Sequence, residues 1–318
     1  MILDMKNDFI ISGYTGANFI LRVPRLPRLG MTEIVQNKDN STLYYGGNGL
    51  NVAVYLAKLG MRAMPIIRGG FDYDRLGYPE FLRQNGVLSG GVSYVPDDAT
   101  AVCYLAEDDN NDHMTFFYPG AMDGRHAPES YPDELFADSA YAIMTVASRA
   151  DNQAFLKGVK KHSLPMAFAM RPDPDAFPPE FLDEVLHEAS LIFMNEMEQG
   201  YIQDTLGYDR PEHLLKHGKA RTVIVTHGPS GCALHELADG SVTQTLVPAT
   251  KPDAVVDTTG AGDSFLAGYL YGVMKGEDSV RCAAYGATES SFIIEAAGCL
   301  TRVPTAEEML SRCAQRRK

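Results

Sequence analysis

The stretch DTTGAGDSFLAGYLYG, Asp257 to Gly272, decides how the chain is read. After Asp263 the apolar residues Phe265, Leu266, Tyr269, Leu270, Val273 and Met274 recur at helical spacing, which predicts a helix entered through Gly260, Ala261 and Gly262. The first turn of a helix has backbone N–H groups without internal partners, and the dipole adds positive charge, so such a mouth holds anions. Asp263 would repel an anion, and a plain N-cap role leaves the glycines ahead of it unexplained. A carboxylate beside an anion hole is placed instead to take a proton from an attacking hydroxyl while the hole stabilises a transferring phosphoryl group. Asp263 is therefore the candidate general base, with Gly260, Ala261 and Gly262 as the candidate hole. A glycine-rich turn with an ordinary capping aspartate is the alternative.

Upstream, GGNGLNVAVYLAKLG, Gly46 to Gly60, is a second glycine-rich turn that enters a helical pattern. Gly46, Gly47 and Gly49 predict close backbone approach to a ligand, while Asn48 and Asn51 offer donors and acceptors suited to hydroxyls. Taken alone, the stretch reads first as a tight turn with an Asn cap. Neither G-x-G-x-x-G nor G-x-x-x-x-G-K-[ST] occurs, so any nucleotide is bound without a Rossmann fingerprint or a P-loop.

Around these turns, short apolar runs at FIISG, MRAMPIIRG, AYAIMTV, LPMAFAM, LIFMNE and TVIVTHG alternate with helical patterns such as NVAVYLAKLG and PEFLDEVLHEA. That alternation predicts a mainly parallel sheet covered on both faces. Two segments break the rhythm. FILRVPRLP, TEIVQ and STLYYGG come early, and ATAVCYLAEDDNNDHMTFFYPG later, which predicts a small separate sheet acting as a lid. Across 318 residues, 45% hydrophobic and 22% charged, there is no apolar run of the ~20 residues a membrane span needs. A net charge of -13 with dispersed Lys and Arg argues against nucleic acid. MILDMKNDFI lacks a basic leader and a cleavage site, so a cytoplasmic location is expected, and the cysteines at 103, 232, 282, 299 and 313 read as reduced thiols without metal spacing.

GGNGLNVAVYLAKLG followed about two hundred residues later by DTTGAGDSFLAGYLYG resembles the two signatures of the ribokinase-like carbohydrate kinases of the PfkB type, in order and separation. The resemblance extends over nearly the whole chain, through IIRGGFDYDRLGYPEFLRQNGV, NEMEQ and TVIVTHGPSGC. It implies one three-layer α/β/α domain over residues 1–318, with a mainly parallel central sheet and a small β-sheet lid formed by about 14–45 and 97–120. It also implies ATP-dependent transfer of the γ-phosphoryl group to a hydroxymethyl group of a small sugar, with Asp263 as base. A nucleoside kinase of the adenosine type and a non-catalytic sugar- or nucleoside-binding regulator are the alternatives.

By the same resemblance, Asn18, Gly46, Gly47, Asn48 and Asn51 bind the acceptor, while Asn195 and Glu198 match an N-x-x-E that positions Mg2+ and phosphate through waters. Glu198 as a solvated helix residue is the plainer reading. Thr226, Gly228 and Gly231 in VTHGPSG match the turn lining ATP. Asp257 and Thr259 match positions that in some members hold a monovalent cation such as K+, although Asp257 is equally explained as a loop brace. A homodimer through the lid is also expected.

Some positions depart from the family pattern or stand outside it. Asn18 occupies a place where many members carry an Asp that accepts two substrate hydroxyls, and Ala147-Ser148-Arg149 stands where ribokinase proper carries a Glu, which counts against ribose. TFFYPGAM is similar to nucleoside-kinase-like members, with Phe116-Phe117-Tyr118 serving either lid packing or base stacking. His227 reads as incidental. Arg171, in AMRPDP, could reach a phosphate but reads as a solvated loop residue and is left outside the candidate set.

Overall fold

The structure, a computed structural model, describes residues 7–110, 112–208 and 210–315; residues 1–6, on which the expectation of no leader partly rests, lie outside the described residues. In chain order the first half contains β1 (Asn7–Ser12), β2 (Gly16–Arg22), β3 (Tyr44–Gly46), α1 (Asn48–Lys58), β4 (Ala63–Pro65), β5 (Ile67–Gly70), α2 (Tyr78–Gln84), β6 (Val92–Val95), β7 (Val102–Glu107), β8 (His113–Tyr118), α3 (Asp133–Ala137) and β9 (Ser139–Met144). The second half contains α4 (Arg149–His162), β10 (Met166–Ala169), α5 (Pro179–Glu188), β11 (Leu191–Asn195), α6 (Glu196–Leu206), α7 (Pro211–His217), β12 (Thr222–Thr226), β13 (Cys232–Ala238), β14 (Ser241–Val247), α8 (Ala261–Met274), α9 (Ser279–Ile293) and α10 (Ala306–Gln315).

Eight strands form the main sheet in the order β14-β13-β12-β11-β10-β9-β1-β4. Every pairing from β4 to β12 is parallel, and an antiparallel β13–β14 hairpin closes one edge. The parallel strands are apolar runs because both of their faces are covered. On β1, Phe9 and Ile11 pack with Leu50, Tyr55, Leu266 and Leu270 of α1 and α8, whereas the intervening Ile10 packs with Phe155 and Leu182 of α4 and α5. The period-2 alternation of a strand thus splits one sequence between two cores, and the architecture is the expected α/β/α sandwich.

A second sheet, β3-β2-β7-β8, stands apart as the lid. TEIVQ, expected to join it, forms no strand: among the described residues only the short β3 borders β2 on that side. Beyond β3 the free edge of β2 is taken by a side chain, since Asn37 donates from Nδ2 to the Ile20 carbonyl at 2.9 Å and accepts from the Arg22 amide at 2.8 Å. Ile34, 76% exposed, has no apolar face to bury. β propensity without a partner strand does not make a strand. MRAMPIIRG also divides, with β4 in the main sheet and β5 pairing in parallel with β6 in a two-stranded sheet.

Candidate active site

Gly260 caps α8 with φ 83°, a left-handed conformation natural to glycine, and a Cβ there would lie 2.7 Å from the Tyr55 hydroxyl. Ala261 donates its amide to the Thr258 carbonyl at 3.2 Å, so its N–H first closes the turn. Gly262 is exposed, and an added Cβ would have nothing within 4 Å. One turn into the helix, Asp263 accepts at Oδ2 from Asn51 Nδ2 at 3.0 Å, a bond between residues 212 positions apart that joins the two glycine-rich motifs. Burial pushes the Asp263 carboxyl above the usual carboxylate range, against the lowering effects of the Asn51 bond and of the Arg171 charge. A base whose proton affinity rises in this way is better matched to accepting a hydroxyl proton near neutral pH.

The upstream turn works differently from its sequence reading. A Cβ on Gly47, at φ 96°, would come 2.3 Å from the Tyr14 carbonyl, one on Gly49 2.8 Å from the Gly13 carbonyl, and one on Gly46 2.2 Å from Asn18 Nδ2. The close approach expected between these glycines and a ligand is therefore made with other parts of the protein, so that α1 can cross the end of β1. Asn48 does not cap α1 through its side chain; Gly47 is the cap, and Asn48 Oδ1 accepts from the Gly49 amide at 2.9 Å. Asn51 is buried and its amide holds Asp263, with Oδ1 left unpartnered among the described residues. Asn18, on β2, lies over Gly46 on the same side, so Asn18, Gly46, Asn51 and Asp263 form one continuous group.

At the carboxyl edge of the sheet, Asn195 and Glu198 form a capping box at α6. Asn195 Oδ1 accepts from the Glu198 amide at 2.9 Å and Glu198 Oε2 from the Asn195 amide at 2.7 Å. Glu198 is thus no solvated helix residue. Burial raises its pKa, while the Asn195 amide and the Arg171 charge lower it and the Asp263 charge raises it further. Asn195 is in register with Thr226, whose hydroxyl points to the Met194 carbonyl at 3.5 Å. Beyond it Gly228 (φ 53°) is open around a Cβ, whereas Gly231 (φ 99°) would meet the Val247 carbonyl at 2.1 Å, so Gly231 shapes the turn through packing. His227 is tied to Glu196 at 3.1 Å.

Asp257 braces two loops: Oδ1 accepts from the Thr259 amide and Oδ2 from the Gly298 amide, each at 2.8 Å. Burial alone would raise its carboxyl, but the bonds from Thr259 and Gly298 outweigh it and hold the group below the usual range.

The model for the pfkB family carbohydrate kinases matches residues 9–306. The chain belongs to that family. A nucleoside kinase of Methanocaldococcus jannaschii is 28% identical over 308 residues, covering 96% of each chain, and a ribokinase of Arabidopsis thaliana is 26% identical over 314, covering 95% of this chain and 79% of the relative. The solved structure of a M. jannaschii nucleoside kinase, described as an archaeal member of the ribokinase family, superposes with a TM-score of 0.86 at 25% identity, covering 98% of this chain and 99% of that one. An A. thaliana ribokinase solved with ribose and ATP shares the fold at TM-score 0.81. No helix among the described residues is long and apolar enough to cross a membrane.

Other residues enter the site unannounced by any motif. Tyr55 lies on the same face of α1 as Asn51, one turn on, and donates to the Cys299 carbonyl at 2.8 Å beneath Gly260. The i, i+4 spacing in NVAVYL was the available signal. Cys299, half-buried near Asp263 and Asp257, has its thiol pushed up to about 12, chiefly by burial, which leaves little thiolate at neutral pH. Tyr14, which follows β1, meets Phe117 of the lid edge to face, with ring centroids 5.1 Å apart.

Proposed function

We propose that this family member transfers the γ-phosphoryl group of ATP to the hydroxymethyl group of a nucleoside, with a free sugar as the second reading. The observation that carries the kinase chemistry is Asp263, raised by burial, held by Asn51 and set in the first turn of α8 beside the open Gly262. In the step, the acceptor oxygen bonds to the γ-phosphorus and the bridging P–O bond breaks. Its electron pair stays on the departing ADP, and the hydroxyl proton passes to the Asp263 carboxylate. The mouth of α8, at Gly260 to Gly262, faces the charge that develops on the phosphoryl oxygens.

Two features favour a nucleoside over a free sugar. In the lid, Asn18, Cys103 and Phe117 are register partners across β2, β7 and β8, and Phe117 meets Tyr14, so this face of the lid turns toward the site. Phe117 and Tyr14 offer rings to a base. The M. jannaschii relatives, by sequence and by structure, are nucleoside kinases. Asn18 does not separate the two, because a ribonucleoside and free ribose both present the vicinal diol that a carboxylate would hold better than this amide.

Mg2+ fits beside Glu198: one carboxylate oxygen is committed to the capping box, which aims the side chain and keeps the other for a water of the ion, and bound Mg2+ would neutralise phosphate charge. A monovalent cation fits less directly at Asp257 and Thr259, because both carboxylate oxygens already accept amides. If one binds there, replacing a bulky organic cation with potassium at constant ionic strength raises activity. We also propose that two copies pair through the outer lid face.

The deciding experiment measures ADP release from Mg-ATP with a panel of nucleosides and sugars. Nucleosides such as inosine and adenosine are expected to turn over with the highest kcat/KM. Preference for free sugars would favour the second reading. Thermal stabilisation by a panel member without turnover would identify a binding protein.

A further inference from the structure

We infer that Arg171 grips the terminal phosphate of the nucleotide, an inference that rests on the kinase reading above. Two carboxylates, Asp263 and Glu198, bear on the place where a polyphosphate must enter, and Glu198 feels the charge of Asp263. Helix mouths supply only partial positive charge there. Among the described residues, Arg171 is the one cation acting on both.

Its position follows from the sheet. Ala169, the last residue of β10, is in register with Phe193 of β11. Two residues beyond Phe193, Asn195 caps α6, bonds Glu198 and is itself in register with Thr226, and two residues beyond Ala169 the chain reaches Arg171. Arg171 thus leaves the carboxyl end of β10 two residues past Ala169, on the edge where Asn195 and Thr226 end the next two strands.

The loop presents this side chain and leaves it free. Met170 before it is buried, and Pro172 after it restricts Arg171 to extended backbone. Asp173 then locks the turn, its Oδ1 accepting from the amides of Asp175 at 3.1 Å and Ala176 at 2.9 Å, while Ala176 and Phe177 are buried. Arg171 itself is exposed, with no hydrogen bond and no carboxylate within 4 Å among the described residues. Other surface arginines, such as Arg62 with Asp8 and Arg83 with Glu80, are held by a carboxylate. A guanidinium on a fixed loop, whose charge acts on two carboxylates while it bonds to neither, matches the flat two-oxygen edge of a phosphate.

The test is calorimetric binding of ADP and of the non-hydrolysable β,γ-imido analogue of ATP to wild type, Arg171→Ala and Arg171→Lys, with thermal melts of each. Arg171→Ala is expected to melt with wild type and to weaken the triphosphate about 10- to 100-fold while leaving ADP within about threefold. Arg171→Lys should fall between, keeping the charge without the fork. Equal weakening of both nucleotides, or of neither, overturns the assignment. So does a displaced acid limb of the pH–rate profile with the ADP-to-triphosphate ratio unchanged, because Arg171 would then act only through Asp263. Wild type without affinity for either nucleotide removes the kinase reading and this inference with it.

Discussion

At the scale of single residues, Asp263 and Gly262 separate chemistry from architecture. Asp263→Asn keeps the shape and the capacity to bond Asn51 but cannot take a proton, so turnover should fall by roughly 10² to 10⁴ while calorimetry finds ATP affinity nearly unchanged. A variant within about threefold of wild type in a coupled ADP assay would remove Asp263 from the mechanism. Gly262→Val adds a side chain into open space, so its melting temperature should match wild type while the rate drops, because the branched group occupies the approach to the helix mouth. Gly47→Ala gives the opposite pattern. Its φ of 96° and the Tyr14 carbonyl 2.3 Å from the new Cβ predict a loss of about 1 to 3 kcal/mol in denaturant unfolding.

At the scale of elements, the helix that bears Asp263 is set by its packing against α9. A Cβ on Gly268 would lie 2.8 Å from the Tyr285 carbonyl, and one on Gly286 2.6 Å from the Phe265 carbonyl, so the two backbones touch through paired glycines. Glu289 of α9 is buried in this region with both carboxylate oxygens unpartnered among the described residues. Burial raises its pKa well above the ordinary carboxylate value, with Glu308 adding to the effect. The folded state therefore holds the proton more tightly than the unfolded chain. The stability this contributes is whole below the unfolded pKa and is lost as pH rises through the folded one. Asp257 and Glu295, whose pKa values are lowered, lose their contributions on the acid side instead. Glu289→Gln should flatten the decline of melting temperature as pH rises above the ordinary carboxylate range, and Glu289→Met should raise stability most at the alkaline end. Parallel pH profiles for wild type and Glu289→Gln would mean that Glu289 does not titrate in the fold.

At the scale of the whole molecule, the lid has an inner and an outer face. Phe19, Tyr104 and Phe116 are register partners one position out of step with Asn18, Cys103 and Phe117, so they point the other way. Tyr104 stacks on Phe19 and Phe116 is 60% exposed, leaving an aromatic row uncovered in a single copy. The lid is moored by Asp98, which accepts from the Tyr118 hydroxyl and the Ala99 amide and pairs with Arg125 and His126. If two copies pair through the outer face, sedimentation velocity should show a dimer that Phe116→Asp converts to a monomer with its fold intact. A wild-type monomer across the concentration range would reject the pairing.

The sequence by itself determined what depends on neighbours along the chain. Helical spacing after Asp263 marked α8 and its mouth, apolar runs marked the strands buried on both faces, and the N-x-x-E spacing put Asn195 and Glu198 within one turn, where they cap a helix. The tertiary structure alone decided what depends on distant segments meeting. It joined Asn51 to Asp263 across 212 positions, turned the Gly46–Gly49 stretch toward protein backbone, and denied TEIVQ a partner strand. It also set β10 beside β11, so that the loop bearing Arg171 leaves the sheet next to the end of β11. Local patterns record burial and backbone preference, because those act within a few residues. Which side chain faces which across a sheet edge follows from strand order and register, which a single strand's residues do not encode.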